Sequence, residues 1–339
     1  MGIREAIDAL VNERRDLGED EAGAVMREIF SGEATPAQLG AFLIALRFKG
    51  ETVDEITGMA RVMREHSLHV QIEGPLLDTC GTGGDGRGTF NVSTAAAFVA
   101  AGAGVRVAKH GNRAMTSACG SADVLEALGA KIDLGPEQVA ECIQKTGFGF
   151  MFAQTFHPAM KHAGPTRREI GVRTVFNILG PLTNPAGAQH QLLGVARPEL
   201  AEKMAAALAR LGSRHALVVY GHDGADELSL AGPSTIHEIR HGESREYRVS
   251  PEDVGLRVAS PEAIHGGTPD DNAHALRSVL AGEKGPLRDV VVLNAAGALV
   301  AADAARDLNE GVRAAEGAID SGVAKERLDA YVALTKSFG

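Results

Sequence analysis

The chain has 339 residues, with 34 Lys and Arg against 44 Asp and Glu, and a formal net charge of −10. Its length predicts two domains or one large domain with an appendage, and 44% hydrophobic residues exclude a wholly disordered chain. The acidic balance argues against broad nucleic-acid or anionic-membrane binding, because neutralising phosphates requires a local excess of Lys and Arg. One small basic pocket remains compatible with this charge.

The cysteines and the N-terminus indicate an intracellular protein. Cys80, Cys119 and Cys142 are odd in number, widely spaced and without a CxxC motif, which is typical of reduced thiols. The first fifteen residues lack the apolar core of a secretion signal, and the apolar stretch 94–105 is too short to cross a bilayer. We therefore expect a soluble, cytoplasmic protein with no membrane partner.

The N-terminal region, residues 1 to about 68, has apolar residues at helical spacing and almost no strand pattern. Thr35-Pro36 and the stretch from Thr52 to Glu55 are typical of helix starts. Four short helices are predicted.

From about residue 76, short apolar runs alternate with helical segments. The runs are 75–80, 105–108, 148–153, 192–196, 216–220 and 290–293. This alternation predicts an α/β fold with a mainly parallel sheet covered on both faces. The segment 167–185 interrupts it with a helix-like stretch at 172–179, which could return to the helical region.

A glycine-rich loop follows the first predicted strand. Five of the eight residues 81–88 are glycine, and an alanine-rich helix is predicted from about Val92. Glycines let backbone N–H groups converge on an anion, and the helix N-terminus favours negative charge. The pattern favours a phosphate or diphosphate cradle over a plain tight turn, and Asn91, Ser93 and Thr94 could cap the helix or touch the ligand.

Gly81, Gly83 and Gly86 also satisfy the dinucleotide motif GxGxxG. That motif requires an acidic residue at the end of the next strand, to bind the ribose hydroxyls. Here the next strand ends in donors, in the sequence Lys109-His110-Gly111-Asn112-Arg113. A phosphorylated ligand fits better, with Lys109 as a point charge and Asn112, Thr116 and Ser117 as hydrogen-bonding groups; a plain polar turn is the alternative.

Asp226 and Glu227 lie together on a predicted loop. One or two carboxylates completed by phosphate oxygens are typical of a Mg²⁺ site, although exposed acidic pairs are also common. Similarly, Arg167 lies in a basic run that could be a solvated helix face or could bind a substrate carboxylate.

The sequence His237-Glu238-Ile239-Arg240-His241 matches the zinc-protease motif HExxH. That motif needs a helix, whereas the flanking residues predict a β-hairpin turning at 241–243. In a strand the two histidines would be about 13 Å apart, so we reject a zinc site.

Taken together, the motifs resemble the anthranilate phosphoribosyltransferase family. Seven segments occur in the family's order: GTGGDG at 81–86, FNVST at 90–94, KHGNR at 109–113, GSADVLEALG at 120–129, HPAMKH at 157–162, RTVFNILGPLTNPAG at 173–187 and DELSL at 226–230. The resemblance implies transfer of a phosphoribosyl group from phosphoribosyl pyrophosphate to anthranilate, in tryptophan biosynthesis.

The resemblance also implies an architecture: a small helical domain (residues 1–70 with about 170–188) and a large α/β domain (71–169 and 189–339). It implies a homodimer formed through the helical part. Two Mg²⁺ ions are implied, one at Ser93 and Glu227 and one at Asp226 and Glu227.

Substrate-binding residues are likewise implied. Anthranilate would contact Gly81, His110, Asn112 and Arg167, and Arg167 would bind the anthranilate carboxylate. No general base is assigned, because the aromatic amine is already neutral near pH 7; His110 is the nearest candidate, or else a structural histidine. Phosphoribosyl pyrophosphate would contact Gly81, Gly83, Gly84, Asp85, Thr89, Asn91, Val92, Ser93, Thr94, Lys109, Thr116, Ser117 and Ser121.

Two other functions stay open. A pyrimidine-nucleoside phosphorylase would share the architecture and use inorganic phosphate. An inactive relative that binds nucleic acid would need a basic groove, which the net charge disfavours.

Overall fold

The computed structural model describes residues 1–114 and 118–338. The N-terminal region forms the four expected helices, α1 (Ile3–Val11), α2 (Glu19–Ser31), α3 (Pro36–Lys49) and α4 (Val53–Glu65). Both predicted helix starts are confirmed: the hydroxyls of Thr35 and Thr52 accept the N–H groups of Gln38 and Glu55, each at 3.3 Å. The Gln38 and Glu55 side chains bond back to the Thr N–H groups. These capping boxes satisfy donors that a first helical turn leaves unpaired.

One seven-stranded sheet organises the rest of the chain. Its strands are β1 (Leu77–Gly81), β2 (Val107–Gly111), β3 (Phe148–Phe152), β4 (His190–Gly194), β5 (His215–Gly221), β6 (Ser234–Arg240) and β7 (Glu243–Val249). The spatial order is β3-β2-β1-β4-β5-β6-β7. The first five strands are parallel and the last two antiparallel, which confirms the predicted mainly parallel sheet.

Eleven further α-helices connect or cover the described strands. They are α5 (Val92–Gly102), α6 (Ser121–Ala127), α7 (Pro136–Thr146), α8 (Ala153–Phe156), α9 (Gly164–Ile170), α10 (Phe176–Leu179), α11 (Pro198–Arg210), α12 (Pro269–Leu280), α13 (Pro286–Ala301), α14 (Leu308–Asp320) and α15 (Val323–Lys336). Short 3-10 turns lie at Pro158–His162, Gly180–Leu182, Pro251–Val254 and Pro261–Ile264. None of the helices in the described ranges has the length and apolar character that a membrane span requires.

Two hydrophobic cores lie on opposite faces of the sheet. Along β5, Leu217 and Val219 join the core with α5 and α13, whereas Ala216 and Val218 join the core with α11 and the N-terminal helices. This alternation follows from the two-residue period of a strand. The second core also contains residues of α10, so the helical region is packed against one face of the sheet and against the segment near residue 176.

One predicted strand is wrong. Residues 290–293 lie within α13, in which every residue from Val290 to Ala301 is buried. A helix buried on all sides carries apolar residues all round, so it loses the 3.6-residue period that would distinguish it from a buried strand. The helix expected over 172–179 is also shorter than expected, because α10 begins at Phe176.

The rejection of the zinc motif is confirmed. β6 and β7 form the predicted hairpin, with His241 in its turn at φ 50°. Glu238 bonds His215 and Arg245 instead of facing a metal. All three cysteines are unpaired, as expected.

Candidate active site

A cavity of about 890 Å³ opens beyond the carboxyl ends of the parallel strands. β1 pairs with β2 on one side and β4 on the other, so the chain order reverses at β1. Crevices at such reversals are where open α/β sheets bind ligands. The cavity is lined from the sheet by the glycine loop, Lys109 to Arg113 and the acidic pair, and from the helical side by residues such as Arg167, Arg173 and Phe176.

The glycine loop has a backbone that other residues rarely adopt. Gly83, Gly84, Gly86 and Gly88 all have positive φ, between 62° and 76°. Asp85 supports the loop internally, because its carboxylate accepts the N–H of Arg87 at 3.1 Å and the Thr89 hydroxyl at 3.4 Å. Successive amides in such a conformation can converge on an anion.

The acidic pair lies directly beneath this loop. Asp226 Oδ2 accepts the N–H of Gly83 at 2.7 Å. Burial, followed by the charge of Asp85, raises the pKa of Asp226 to about 7, and burial followed by Asp226 raises the pKa of Glu227 well above its usual range. Neither carboxylate forms an ion pair with a described side chain.

The residues present fit a divalent cation. The three predicted metal ligands, Ser93, Asp226 and Glu227, line the same cavity, with Asp226 beneath the Gly83 N–H. Across the described ranges, no group of three or more His, Cys, Asp and Glu side chains is arranged to hold a metal alone. Two carboxylates and a hydroxyl that need phosphate oxygens to complete the shell match the preference of Mg²⁺.

Lys109 reaches the same place from β2. It is 2% exposed, and its ammonium donates to Thr79 O and, at 3.3 Å, to Ser93 Oγ. Burial lowers the pKa of Lys109 and raises that of Asp78 to about 6. A buried cation therefore lies beside the cradle, as the phosphate interpretation requires.

The other described residues predicted to bind the phosphoribosyl donor lie in and around the start of α5 and α6. Val92 and Thr94 are about 1% exposed, so the Val92 side chain belongs to the core, whereas Thr94 Oγ1 has no hydrogen-bond partner. Asn91 stands at the N-cap of α5, but its side chain does not cap the helix; it donates to Cys119 O at 3.2 Å. Ser121 opens α6 and bonds Asn112 O. Thr116 and Ser117 lie outside the described residues.

The predicted anthranilate contacts line the opposite part of the cavity. Arg167 lies over the ring of Phe176, 4.9 Å from its centroid, and has no carboxylate partner among the described residues. Asn112 is exposed at the mouth, with its Oδ1 accepting the N–H of Arg113. A cation held by stacking alone leaves its hydrogen-bonding edge available for a carboxylate.

His110 forms a buried pair with His157. Their ring centroids are 5.0 Å apart, and the Nε2 atom of each lacks a hydrogen-bond partner. Burial lowers the pKa of His110 to about 3 and that of His157 to about 4, so both rings are neutral near pH 7. A ring with so low a pKa is a weak base, which agrees with the absence of a general base from the predicted mechanism.

Three residues near the cradle were missed by the sequence interpretation. A Cβ on Gly194 would lie 1.6 Å from Asp226 O, so only a glycine lets the backbone of Asp226 pack this close to the end of β4. Asn272 donates to Asn91 Oδ1 at 2.9 Å and is 2% exposed. Arg173 donates to Thr82 O at 2.8 Å. The glycine that ends β4 and Arg173, which opens the segment 173–187, stand in local patterns, but the contacts of Arg173 and Asn272 with the site are long-range.

Comparison with known proteins agrees with this geometry. The family model described as the glycosyl transferase family, a/b domain, matches residues 73–325, and the helical bundle domain of the same family matches residues 4–67. These two matches correspond to the sheet region and to the four N-terminal helices.

Similar proteins share one name. Anthranilate phosphoribosyltransferase of Chloroflexus aggregans is 62% identical over 99% of both chains. The crystal structure of the Thermus thermophilus enzyme has a TM-score of 0.92 at 49% identity, over 98% of this chain and 99% of that one. The Saccharomyces cerevisiae enzyme in complex with phosphoribosyl pyrophosphate and Mg has a TM-score of 0.92 at 30% identity, over 99% and 98% of the two chains. The chain thus belongs to the anthranilate phosphoribosyltransferase family.

Proposed function

We propose that this protein transfers the 5-phosphoribosyl group of phosphoribosyl pyrophosphate to the amine of anthranilate. The bond between ribose C1 and the diphosphate oxygen breaks, a bond from C1 to nitrogen forms, and the amine releases one proton. The observation that carries the proposal is that three elements line one cavity: the left-handed glycine loop, the Asp226–Glu227 pair beneath it and the buried Lys109.

The donor is proposed to lie with its diphosphate on the loop. The backbone amide of Gly84 is the principal donor, whereas Gly83 shapes the loop because its N–H already donates to Asp226. The Lys109 ammonium lies on the Ser93 side. Gly81, Asp85, Thr89, Asn91, Val92, Thr94 and Ser121 complete the proposed donor contacts, with Val92 acting through its backbone because its side chain is in the core. Preorganised donors aimed at a leaving group stabilise the charge that develops on it.

Two Mg²⁺ ions are proposed at this point. Ser93 and Glu227 would hold one, and Asp226 and Glu227 the other. When bound, Mg²⁺ supplies positive charge that neutralises the diphosphate. The Asp226 and Glu227 carboxylates, which form no ion pair with a described side chain, support the assignment.

Anthranilate is proposed to bind between the loop and the helical side. The Arg167 guanidinium would bind its carboxylate, while Asn112, Gly81 and the neutral ring of His110 would orient the amine. Holding the neutral amine against C1 converts a bimolecular encounter into a near-intramolecular one, which accounts for catalysis without a general base.

The protein is also proposed to be a cytoplasmic homodimer that associates through the helical region, residues 1–70 with about 170–188. Phe48 on α3 is 93% exposed and Ile44 is 43% exposed. Arg47 and Lys49 flank them and the exposed Glu199 lines the same surface, so the rim carries both signs of charge. A two-fold contact pairs a patch with itself, and mixed charge suits that arrangement.

The activity is tested by mixing the protein with Mg²⁺, phosphoribosyl pyrophosphate and anthranilate and following anthranilate fluorescence. The expected result is a decay that requires all three components. No decay at high enzyme concentration, or phosphorolysis of thymidine or uridine in a parallel assay with inorganic phosphate, would contradict the proposal.

A further inference from the structure

Arg173 is a cation of the cavity to which no function has yet been given. It lies between α9 and α10, on the segment whose next residues, Val175 and Phe176, pack with the N-terminal helices. Its Nη2 donates to Thr82 O at 2.8 Å, within the glycine loop. A side chain from the helical side of the molecule thus touches the loop that cradles phosphate.

The guanidinium lies against the bare face of Gly84. A Cβ placed on this glycine would be 1.9 Å from Arg173 Nη1, so only a residue without a side chain permits the approach. The contact brings the cation alongside the loop amides.

Most of the hydrogen-bonding capacity of Arg173 is unused. A guanidinium has five N–H donors, and Thr82 O is the one acceptor that Arg173 meets among the described residues. Arg173 forms no ion pair in the described ranges either, although the negative charges of Asp226 and Asp85 act on it. A planar cation with free donors beside a cradle of amides is suited to bidentate contact with a phosphate group.

We propose that Arg173, which lines the cavity, is a further binding residue for the diphosphate of the sugar donor, using guanidinium N–H groups other than the one that bonds Thr82 O. The inference rests on the proposed function, because it assigns a residue to the same donor site. Arg173 lies on a segment that packs with the N-terminal helices, so donor binding would be coupled to the position of those helices.

The test compares Arg173→Gln with Arg197→Gln. Arg197 is a suitable control because its positive charge acts on Arg173, its side chain is 42% exposed and it faces Glu199 at 3.5 Å. Binding of magnesium pyrophosphate is measured by calorimetry, and the Michaelis constants for both substrates by steady-state kinetics.

Arg173→Gln is expected to weaken pyrophosphate binding and raise the donor Michaelis constant about tenfold or more, the usual effect of losing hydrogen bonds to a charged group. The anthranilate constant should change less than about twofold, as should every constant in Arg197→Gln. Arg173→Lys should recover part of the binding, because lysine keeps the positive charge but lacks the planar guanidinium that can form two parallel hydrogen bonds.

Three results would overturn the inference. Unchanged pyrophosphate binding in Arg173→Gln would remove the contact. An equal loss of pyrophosphate binding in Arg197→Gln would show that any nearby positive charge has this effect. Parallel increases in both Michaelis constants of Arg173→Gln, with a lowered melting temperature, would show that Arg173 stabilises the fold and does not bind the donor. Because pyrophosphate binding needs no turnover, it decides the role of Arg173 even if the wild-type protein makes no product, a result that would count against the proposed function alone.

Discussion

The Gly83 N–H donates to Oδ2 of Asp226 at 2.7 Å, across 143 positions of sequence. This bond fixes the acidic pair beneath the glycine loop, at the carboxyl end of β1. A Cβ on Gly81 would come within 2.3 Å of the same carboxylate oxygen, so the loop is shaped to receive it. The arrangement joins an anion cradle to the carboxylates that fit a divalent cation.

Removing one carboxylate of this pair should impair turnover. Glu227→Gln is expected to lower kcat by about 10²-fold or more and to raise the Mg²⁺ concentration needed for half-maximal rate, because lost electrostatic stabilisation of a leaving group has effects of this size. Glu252→Gln, the same change at an exposed position, serves as control. Equal Mg²⁺ dependence in Glu227→Gln and wild type would contradict the metal assignment.

Alanine substitutions at two loop glycines distinguish the effect of backbone strain from that of a steric clash. Gly84 and Gly86 have φ of 76° and 69°, but only at Gly84 would a Cβ meet a neighbour, Arg173 Nη1 at 1.9 Å. Both Ala variants should lose about 1–2 kcal/mol of loop stability. Gly84→Ala should also raise the donor Michaelis constant well beyond the value for Gly86→Ala, as measured by steady-state kinetics. Indistinguishable constants would mean that the contact at Gly84 does not matter for donor binding.

Arg167 should act on the acceptor alone. Arg167→Ala is expected to raise the Michaelis constant for anthranilate about 10- to 100-fold, since a guanidinium–carboxylate contact contributes on the order of 1.5–3 kcal/mol. The neighbouring Arg168→Ala removes the same charge from the same helix and should have a smaller effect. An unchanged anthranilate constant in Arg167→Ala would remove Arg167 from its proposed role.

The neutral histidine pair should make stability depend on pH. The pKa of His157 is lowered to about 4, against about 6.5 in an unfolded chain, so the native state binds fewer protons than the unfolded state between these values. The resulting stabilisation is fully present above pH 6.5 and is lost as the pH falls through 4. The loss for His157 is on the order of 3 kcal/mol.

Urea unfolding at pH 7, 5.5 and 4.5 measures this effect. His157→Gln should flatten the fall in unfolding free energy relative to wild type, whereas His274→Gln, at an exposed position, should leave it unchanged. If the His157→Gln slope equals that of wild type, the pair is not buried in its neutral form.

The exposed aromatic side chain on α3 should control assembly. Phe48→Glu is expected to shift the protein from dimer to monomer in light scattering coupled to size exclusion, because it places a charge in a self-paired contact. Val258→Glu, which alters an apolar residue 53% exposed elsewhere, should leave the mass unchanged. A dimer that survives Phe48→Glu would place the interface away from this patch.

Local patterns predicted most of the fold and part of the site. The capping residues at Thr35 and Thr52, the five parallel strands and the hairpin at 234–249 could be found because each depends on neighbouring residues. The buried helix α13 was mistaken for a strand because full burial removes its period.

Residues whose role depends on distant contacts were not predicted from the sequence. Asn272 bonds Asn91 across 181 positions, and Arg173 meets Thr82 across 91. Asn272 stands in no pattern that points to the site, and Arg173 opens the family segment 173–187 without a local sign of its contact with the loop. The meeting of Asp226 with the glycine loop was expected only through the family resemblance, because spacing alone left an exposed acidic pair equally open.

The most direct test of the donor site is a crystal structure with phosphoribosyl pyrophosphate and Mn²⁺ in place of Mg²⁺. We expect the diphosphate on the glycine loop, against the Gly84 amide, with anomalous Mn²⁺ peaks at Ser93, Asp226 and Glu227. A diphosphate bound away from this loop, or Mn²⁺ bound without these carboxylates, would contradict the proposal.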